Sequence, residues 1–277
     1  MMVKLCHVRG VALPEIMFWR QAVSIPLLLG WLASRGQLGQ LRSRRLKSHA
    51  ARSIMGTIGM VTLFGAQILL PLAVATVLGF TAPLFTVILT ALVLSEHVGR
   101  WRWAAVLVGF AGVMIIARPG TSGAMPISPL GAAAGLTASF LVAVISLQIR
   151  DLTRTETPVA IVLYFSLFSA LFIAPVLPFV STGHSAAVWG MLVATGLVGT
   201  AAQVLLTAAL RFGSAASVLV MDYTTLIWTT LYGEMVFHQS PPANTWAGAP
   251  LIVAAGLVIA WREHKRGKAL AAVAQEG

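Results

Sequence analysis

Charge is scarce in this sequence, and negative charge is scarcest. Only 10% of the 277 residues are charged, with 8 Asp and Glu against 19 Lys and Arg. An ordinary soluble domain carries about 25% charged residues. So thin a supply cannot cover the surface of a water-soluble globule this size. Cysteine is almost absent: Cys6 stands alone, so an internal disulfide is excluded and no CxxC exists. The 6 histidines (His7, His49, His97, His184, His238 and His264) are scattered without ligand spacing, and no metal site is expected. GxSxG, HExxH and GxxxxGK[ST] are missing, so nothing supports a hydrolase nucleophile, a zinc protease or ATP hydrolysis. No catalytic residue and no cofactor is assigned; the chain does not read as an enzyme. Residues 1–13 are too short and too polar for the apolar core of a cleavable leader.

What the chain has instead is apolar length. It is 58% hydrophobic, with mean hydropathy +0.87, and a bilayer supplies the solvent its surface lacks. A membrane-spanning helix needs about 20 mostly apolar residues. On that measure the sequence predicts an all-α integral membrane protein of nine transmembrane helices, at residues 14–33, 54–72, 75–94, 103–117, 129–149, 159–180, 187–210, 214–237 and 245–260. Residues 34–53 form the most basic loop. Pro83 lies inside the third span and is expected to kink it. Residues 118–128, rich in Pro, Gly and Ser, form the boundary between halves.

The net charge of +11 would suggest nucleic acid in a soluble protein, but the basic residues lie between spans and no recognition motif accompanies them. They sort by side. Arg35, Arg42, Arg44, Arg45, Lys47, Arg52, Arg100, Arg102, Arg150, Arg154, Arg211, Arg262, Lys265, Arg266 and Lys268 fall on one face. Lys4, Arg9 and Arg118 fall on the other. The crowded face is expected to be cytoplasmic, with the C-terminus on it. That orientation puts the first residues outside, which a short stub with Lys4 and Arg9 does not suit. A further helix upstream is therefore expected, and a genuine nine-helix chain is the alternative.

The sequence also repeats. Residues 65–70 read GAQILL and 201–206 read AAQVLL. Each Gln is followed by an acid at a helix end, Glu96 in SEHV and Glu234 in GEMV. Each acid precedes a last span of small-residue core, GFAGVMIIAR at 109–118 and VAAGLVIAWR at 253–262. An odd number of helix steps separates the copies, so they are expected to run in opposite directions. Inverted repeats are typical of secondary carriers that bind substrate between the halves.

Several stretches carry a family likeness: ALPEIMFWRQ, AVATVLGFTAPLFTVILTALVLSEHV, GFAGVMIIARPG, LQIRDLTRTETP, MDYTTLIWTTLYGEMVF and WAGAPLIVAAGLVIAWRE. With these the chain resembles the drug/metabolite transporter superfamily, EamA type, over about residues 10–263. The resemblance implies ten helices in two inverted repeats, with both termini cytoplasmic and a central cavity. On that pattern most of the first helix is expected to be absent from this chain. The expected division is 1–120 for the first repeat, 129–263 for the second and 264–277 for a cytoplasmic tail. The resemblance further implies a bacterial inner membrane and small-molecule partners such as amino acids, nucleosides, S-adenosylmethionine or riboflavin-like metabolites.

Substrate-binding candidates follow from polarity inside spans. Asp222 sits near the middle of 214–237, where a charge costs roughly 3 kcal/mol; it is expected to face a cavity or a partner, or to be solvated from the cytoplasmic end, about 12 Å from Ser214. Its neighbour Tyr223 offers a ring and a hydroxyl, and Trp228 can stack in a pocket or sit in an interfacial belt. Arg20 can bind an anionic group, pair with an acid, or snorkel to the interface. Gln67 and Gln203 occupy matching repeat positions, where an amide in lipid bonds to a neighbouring helix or to substrate. Pro83, Glu96 and Glu234 are expected to be structural. The leading reading is a secondary transporter of a small metabolite working by alternating access. The alternatives are a non-transporting or degenerate membrane subunit and, further off, an intramembrane lipid-modifying enzyme. Besides the bilayer and the metabolite, no nucleic-acid partner is expected, and a homo-oligomer stays open.

Overall fold

Apolar runs of this length can satisfy their backbone N–H and C=O groups in lipid only as helices or closed barrels, and here they are helices. The computed structural model describes residues 1–92, 98–116, 127–212 and 223–276. In chain order its helices are α1 (Met2–Val8), α2 (Leu13–Ser34), α3 (Leu46–Leu69), α4 (Leu72–Gly79), α5 (Ala82–Leu92), α6 (Arg100–Ile116), α7 (Pro129–Leu152), α8 (Pro158–Ile173), α9 (Leu177–Val180), α10 (Ala186–Phe212), α11 (Thr224–Phe237) and α12 (Ala243–Glu276). Seven segments among the described residues are long and apolar enough to cross a membrane, with α4–α5 and α8–α9 each counted as one. Of the nine expected spans, the fourth is α6, a helix of 17 residues. The eighth falls partly outside the described residues.

Two expectations change. Pro83 does not kink a continuous helix. α4 ends at Gly79 and α5 begins at Ala82, so Pro83 stands in a first turn, where its missing N–H has no helical partner to lose. Thr81 closes the break: its Oγ1 donates to Leu78 O at 2.7 Å, and its own carbonyl accepts from Leu84 N at 2.9 Å. The second change concerns the basic loop at 34–53. Its last residues are helical, because α3 starts at Leu46, and His49, Arg52 and Ser53 are buried in its first turns.

The helices form two compact units. One comprises Met1–Ile68 with Ile145–Phe212, and the other Leu69–Val144 with Gly213–Gly277. Each draws on both halves of the chain. In the first unit, α2 packs on α8 and α10, with α1 against α2 and α10. Its core joins Ile16, Met17, Met60, Phe64, Phe165 and Leu192. In the second unit, α6 lies along α12 and α11 lies on α4. Small residues let α6 and α12 approach. A Cβ on Gly112 would sit 2.7 Å from Gly248 O, and a Cβ on Gly248 2.5 Å from Gly112 O. Gly109 faces Leu84 and Ala255 in the same way. Close backbone contact of this kind is how membrane helices gain packing energy without a hydrophobic driving force.

Candidate functional site

The polar side chains of the first unit form a seam through its apolar helices. At the α2 start, Glu15 is fully buried. Ser181 Oγ donates to its Oε1 at 2.9 Å, and His184 Nε2 lies 3.0 Å from its Oε2. Trp189 stands edge-on to both His184 and Trp19. One turn further along α2 come Arg20, Gln21 and Ser24. Arg20 Nη1 reaches Met60 Sδ at 3.0 Å, and its Cζ lies 5.7 Å from the Phe64 ring centroid. Gly199 leaves the space that the Arg20 side chain fills. Gln21 accepts from Ser166 Oγ at 3.1 Å and donates to Met60 Sδ at 3.4 Å. Ser24 and Thr200 share a hydrogen bond, and Thr57 Oγ1 donates to Ser169 Oγ at 2.8 Å.

At the α3 start, the seam ends on His49, Arg52 and Ser53. Spacings of three and four residues place them on one helix face. Arg52 is 2% exposed, and its Cζ lies 3.8 Å from the Phe165 ring centroid. Gly56 makes this possible: a Cβ there would stand 2.8 Å from Arg52 Nη1 and 2.6 Å from Phe165 Cε2. Neither Nε nor Nη1 of Arg52 has a hydrogen-bond partner, nor does Ser53 Oγ or either ring nitrogen of His49. His49 stacks on Tyr164 at 4.4 Å, and Tyr164 donates its hydroxyl to Leu41 O. Glu156 Oε1 lies 3.9 Å from His49 Nε2 and accepts from Ser43 Oγ at 2.6 Å. Beyond Glu156 opens a cavity of about 490 Å3, lined by Gly39, Arg42, Arg44, Arg45, Thr155, Glu156 and Thr157. Arg45 is paired with Asp151.

Each end of the seam thus carries a carboxylate beside a buried imidazole, Glu15 fully buried and Glu156 partly so. His49 and His184 are separated by the same distance in sequence as Gln67 and Gln203, to within one residue. Glu15 and Glu156 both stand next to or near a helix-opening proline, Pro14 or Pro158. That spacing is the one the expected repeat predicts, although the sequence motifs that define it do not include these pairs.

Of the expected site residues that are described, only Arg20 lies in the seam. Gln67 on α3 and Gln203 on α10 are half-buried, and among the described residues neither side chain hydrogen-bonds into it. Tyr223 belongs to the second unit, edge-on to Phe80 at 4.8 Å, with its hydroxyl in the space that Gly256 leaves empty. Trp228 is 54% exposed and stacks on Tyr232. Glu234 accepts from Ser240 Oγ at 2.6 Å at the end of α11. Asp222 and Glu96 lie outside the described residues. Sequence reading missed Glu15, Gln21, His49, Arg52, Glu156 and His184 as members of one site. A usable signal was present in the His-to-His spacing, which matches the repeat.

The sequence pattern of the EamA-like transporter family matches this chain twice, at residues 1–118 and 129–261. A pseudopaline exporter of Pseudomonas aeruginosa is 32% identical over 248 residues, which is 88% of this chain and 85% of that protein. A riboflavin transporter of Vibrio cholerae is 29% identical over 263 residues, covering 94% and 86%. An S-adenosylmethionine uptake transporter of Rickettsia prowazekii is 25% identical, covering 91% and 84%. A protein of known crystal structure, 23% identical, superposes with TM-score 0.62 over 93% of this chain and 92% of its own, a likeness of fold. Together with the helices long enough to span a bilayer, these matches make the chain a multi-pass membrane protein of a transporter family rather than an enzyme: it belongs to the EamA-like transporter family.

Proposed function

We propose that this protein is a secondary carrier that moves a small metabolite across a bacterial inner membrane by alternating access, with its C-terminus in the cytoplasm. The observation that carries the reading is the buried seam of the first unit. Polar and charged side chains are expensive in lipid and concentrate where a substrate or ion passes. Arg20, Gln21 and Arg52 line that path, and Asp222, Tyr223, Trp228, Gln67 and Gln203 remain candidates for the rest of it. The chain has no ATP-binding motif, so the driving force is an ion gradient or the substrate's own. The named relatives suggest the panel: riboflavin, pseudopaline and S-adenosylmethionine, with an amino acid and a nucleoside added.

The test is uptake and efflux of each labelled compound in proteoliposomes holding the purified full chain. Flux of at least one compound above protein-free liposomes, reduced tenfold or more by Arg20→Ala, is the expected result. No flux for any compound in either direction favours a non-transporting membrane subunit.

A further inference from the structure

The start of α3 gathers hydrogen-bonding groups that the protein does not satisfy. Arg52 Nε, Arg52 Nη1, Ser53 Oγ and both nitrogens of His49 are buried without a hydrogen-bond partner, all within one turn of one helix. Buried polar atoms are normally satisfied, and each exception calls for an explanation. The cluster also has a sign. An arginine only donates, a serine hydroxyl and an imidazole each have a proton to donate, and a guanidinium carries its charge at any physiological pH. The aromatic face of Phe165 receives the charge of Arg52 but not its N–H groups. What is missing is an acceptor with negative charge.

The neighbouring carboxylates do not supply it. Asp151 is taken by Arg45, and Glu156 accepts from Ser43 and stops 3.9 Å from His49. Beside Glu156 lies the cavity of about 490 Å3, within the range of small-molecule sites. Arg42, Arg44 and Arg45 line it against a single acid. The cavity thus concentrates anions. His49 meets its Glu156 wall at 3.9 Å, and Arg52 and Ser53 follow one turn further along α3.

We propose that Arg52, Ser53 and His49 form an oxyanion-binding site, entered through the Arg42–Arg44–Arg45 cavity, for a carboxylate or phosphate group of the transported metabolite. The proposal rests on the carrier reading for the identity of the ligand, and on the donor cluster for its chemistry. Planar two-point recognition of a carboxylate or phosphate is what a guanidinium does better than an ammonium. In this arrangement Glu156 holds the place near His49 until the anion displaces it.

The experiment is thermal unfolding and calorimetric titration of the full chain in nanodiscs of phosphatidylcholine alone. The probes are succinate and inorganic phosphate, with glycerol as the neutral control. A second set of nanodiscs contains phosphatidylglycerol and no added anion. The expected result is saturable binding and a rise in Tm with succinate or phosphate but not glycerol. Binding weakens at least tenfold in Arg52→Gln and less in Arg52→Lys. It weakens uniformly and becomes less salt-dependent in the double variant Arg42→Ala, Arg44→Ala. Unchanged affinity in Arg52→Gln, folded as judged by its own Tm, overturns the site. So does the absence of anion binding by the unaltered protein. Stabilisation by phosphatidylglycerol alone assigns the donors to a lipid headgroup and also overturns the metabolite reading. Because titration requires no flux, anion binding without transport of any compound defeats the carrier reading while leaving the site intact. Transport without anion binding does the reverse.

Discussion

The two units solve the same problem of packing helices in lipid by different means. In the first, the buried polar residues include Glu15, Gln21, Ser24, His49, Arg52, Ser53, Ser166 and Thr200, and many of them bond from one helix to another. In the second, the buried polar residues among those described are Thr81, Arg102, Ser139 and Thr245. There Gly112 and Gly248 meet backbone to backbone. The second unit therefore reads as scaffold, where backbone proximity supplies dispersion energy. The first unit spends stability on groups that an apolar core would do without. Buried side-chain atoms without a hydrogen-bond partner occur in both units, at His49 and Arg52 in the first and at Thr245 and Arg262 in the second.

The contrast can be broken most sharply at the glycine contact. Gly112→Val puts a branched side chain against the Gly248 carbonyl and the Ile252 side chain. Overpacking costs about 1–3 kcal/mol where neighbours can shift, and the carbonyl cannot. The expected outcome is loss of most folded protein, read as yield and Tm in detergent. Gly30→Ala in the first unit, where a Cβ meets nothing within 4 Å, is expected to leave Tm unchanged or raised.

Arg52→Met tests the opposite side of the comparison. It removes a buried charge and keeps much of the side-chain volume over Phe165. Replacing buried ionic groups with packed apolar ones is often neutral or stabilising, by about 1–4 kcal/mol. Tm is expected to hold or rise while flux of the transported compound falls at least tenfold. A Tm that drops with flux unchanged would make Arg52 a structural residue and erase the contrast.

Gln21→Leu ranks next. It strands the Ser166 hydroxyl and removes the bond to Met60. An unmet buried group costs about 1–3 kcal/mol, so a moderate fall in Tm is expected, partly restored by Ser166→Ala in the same chain. The smallest effect belongs to the second unit. Ser139 Oγ reaches both Leu78 O at 2.8 Å and Gly135 O at 2.9 Å, and both carbonyls keep other means of satisfaction. Ser139→Ala is expected to cost about 0.5–1.5 kcal/mol, measured by chemical unfolding in detergent. If Ser139→Ala proved more damaging than Gln21→Leu, the assignment of polar bonding to one unit and small-residue packing to the other would fail.

The residues differ in how far sequence could place them. Arg20 was legible because a charge inside an apolar run is conspicuous. Arg52 was not, because it stands among Arg42, Arg44, Arg45 and Lys47 and reads as one more loop cation. Glu15 reads as a residue at the edge of a span, and His184 as a loop histidine. Neither their burial nor their pairing has a signature along the chain. Pro83 was visible, but whether it bends one helix or starts another depends on Thr81 capping the break.

Hydropathy and composition determined by themselves that this chain lies in a membrane as helices, and the ordered motifs around Gln67 and Gln203 are where a repeat can be read along the chain. Both are properties of local sequence, since a backbone in lipid has almost no alternative to the helix. Tertiary structure alone decided which polar groups meet and which cation is shut away from water. Those outcomes depend on what packs over a residue from distant parts of the chain, such as Phe165 over Arg52 and Glu156 beside His49.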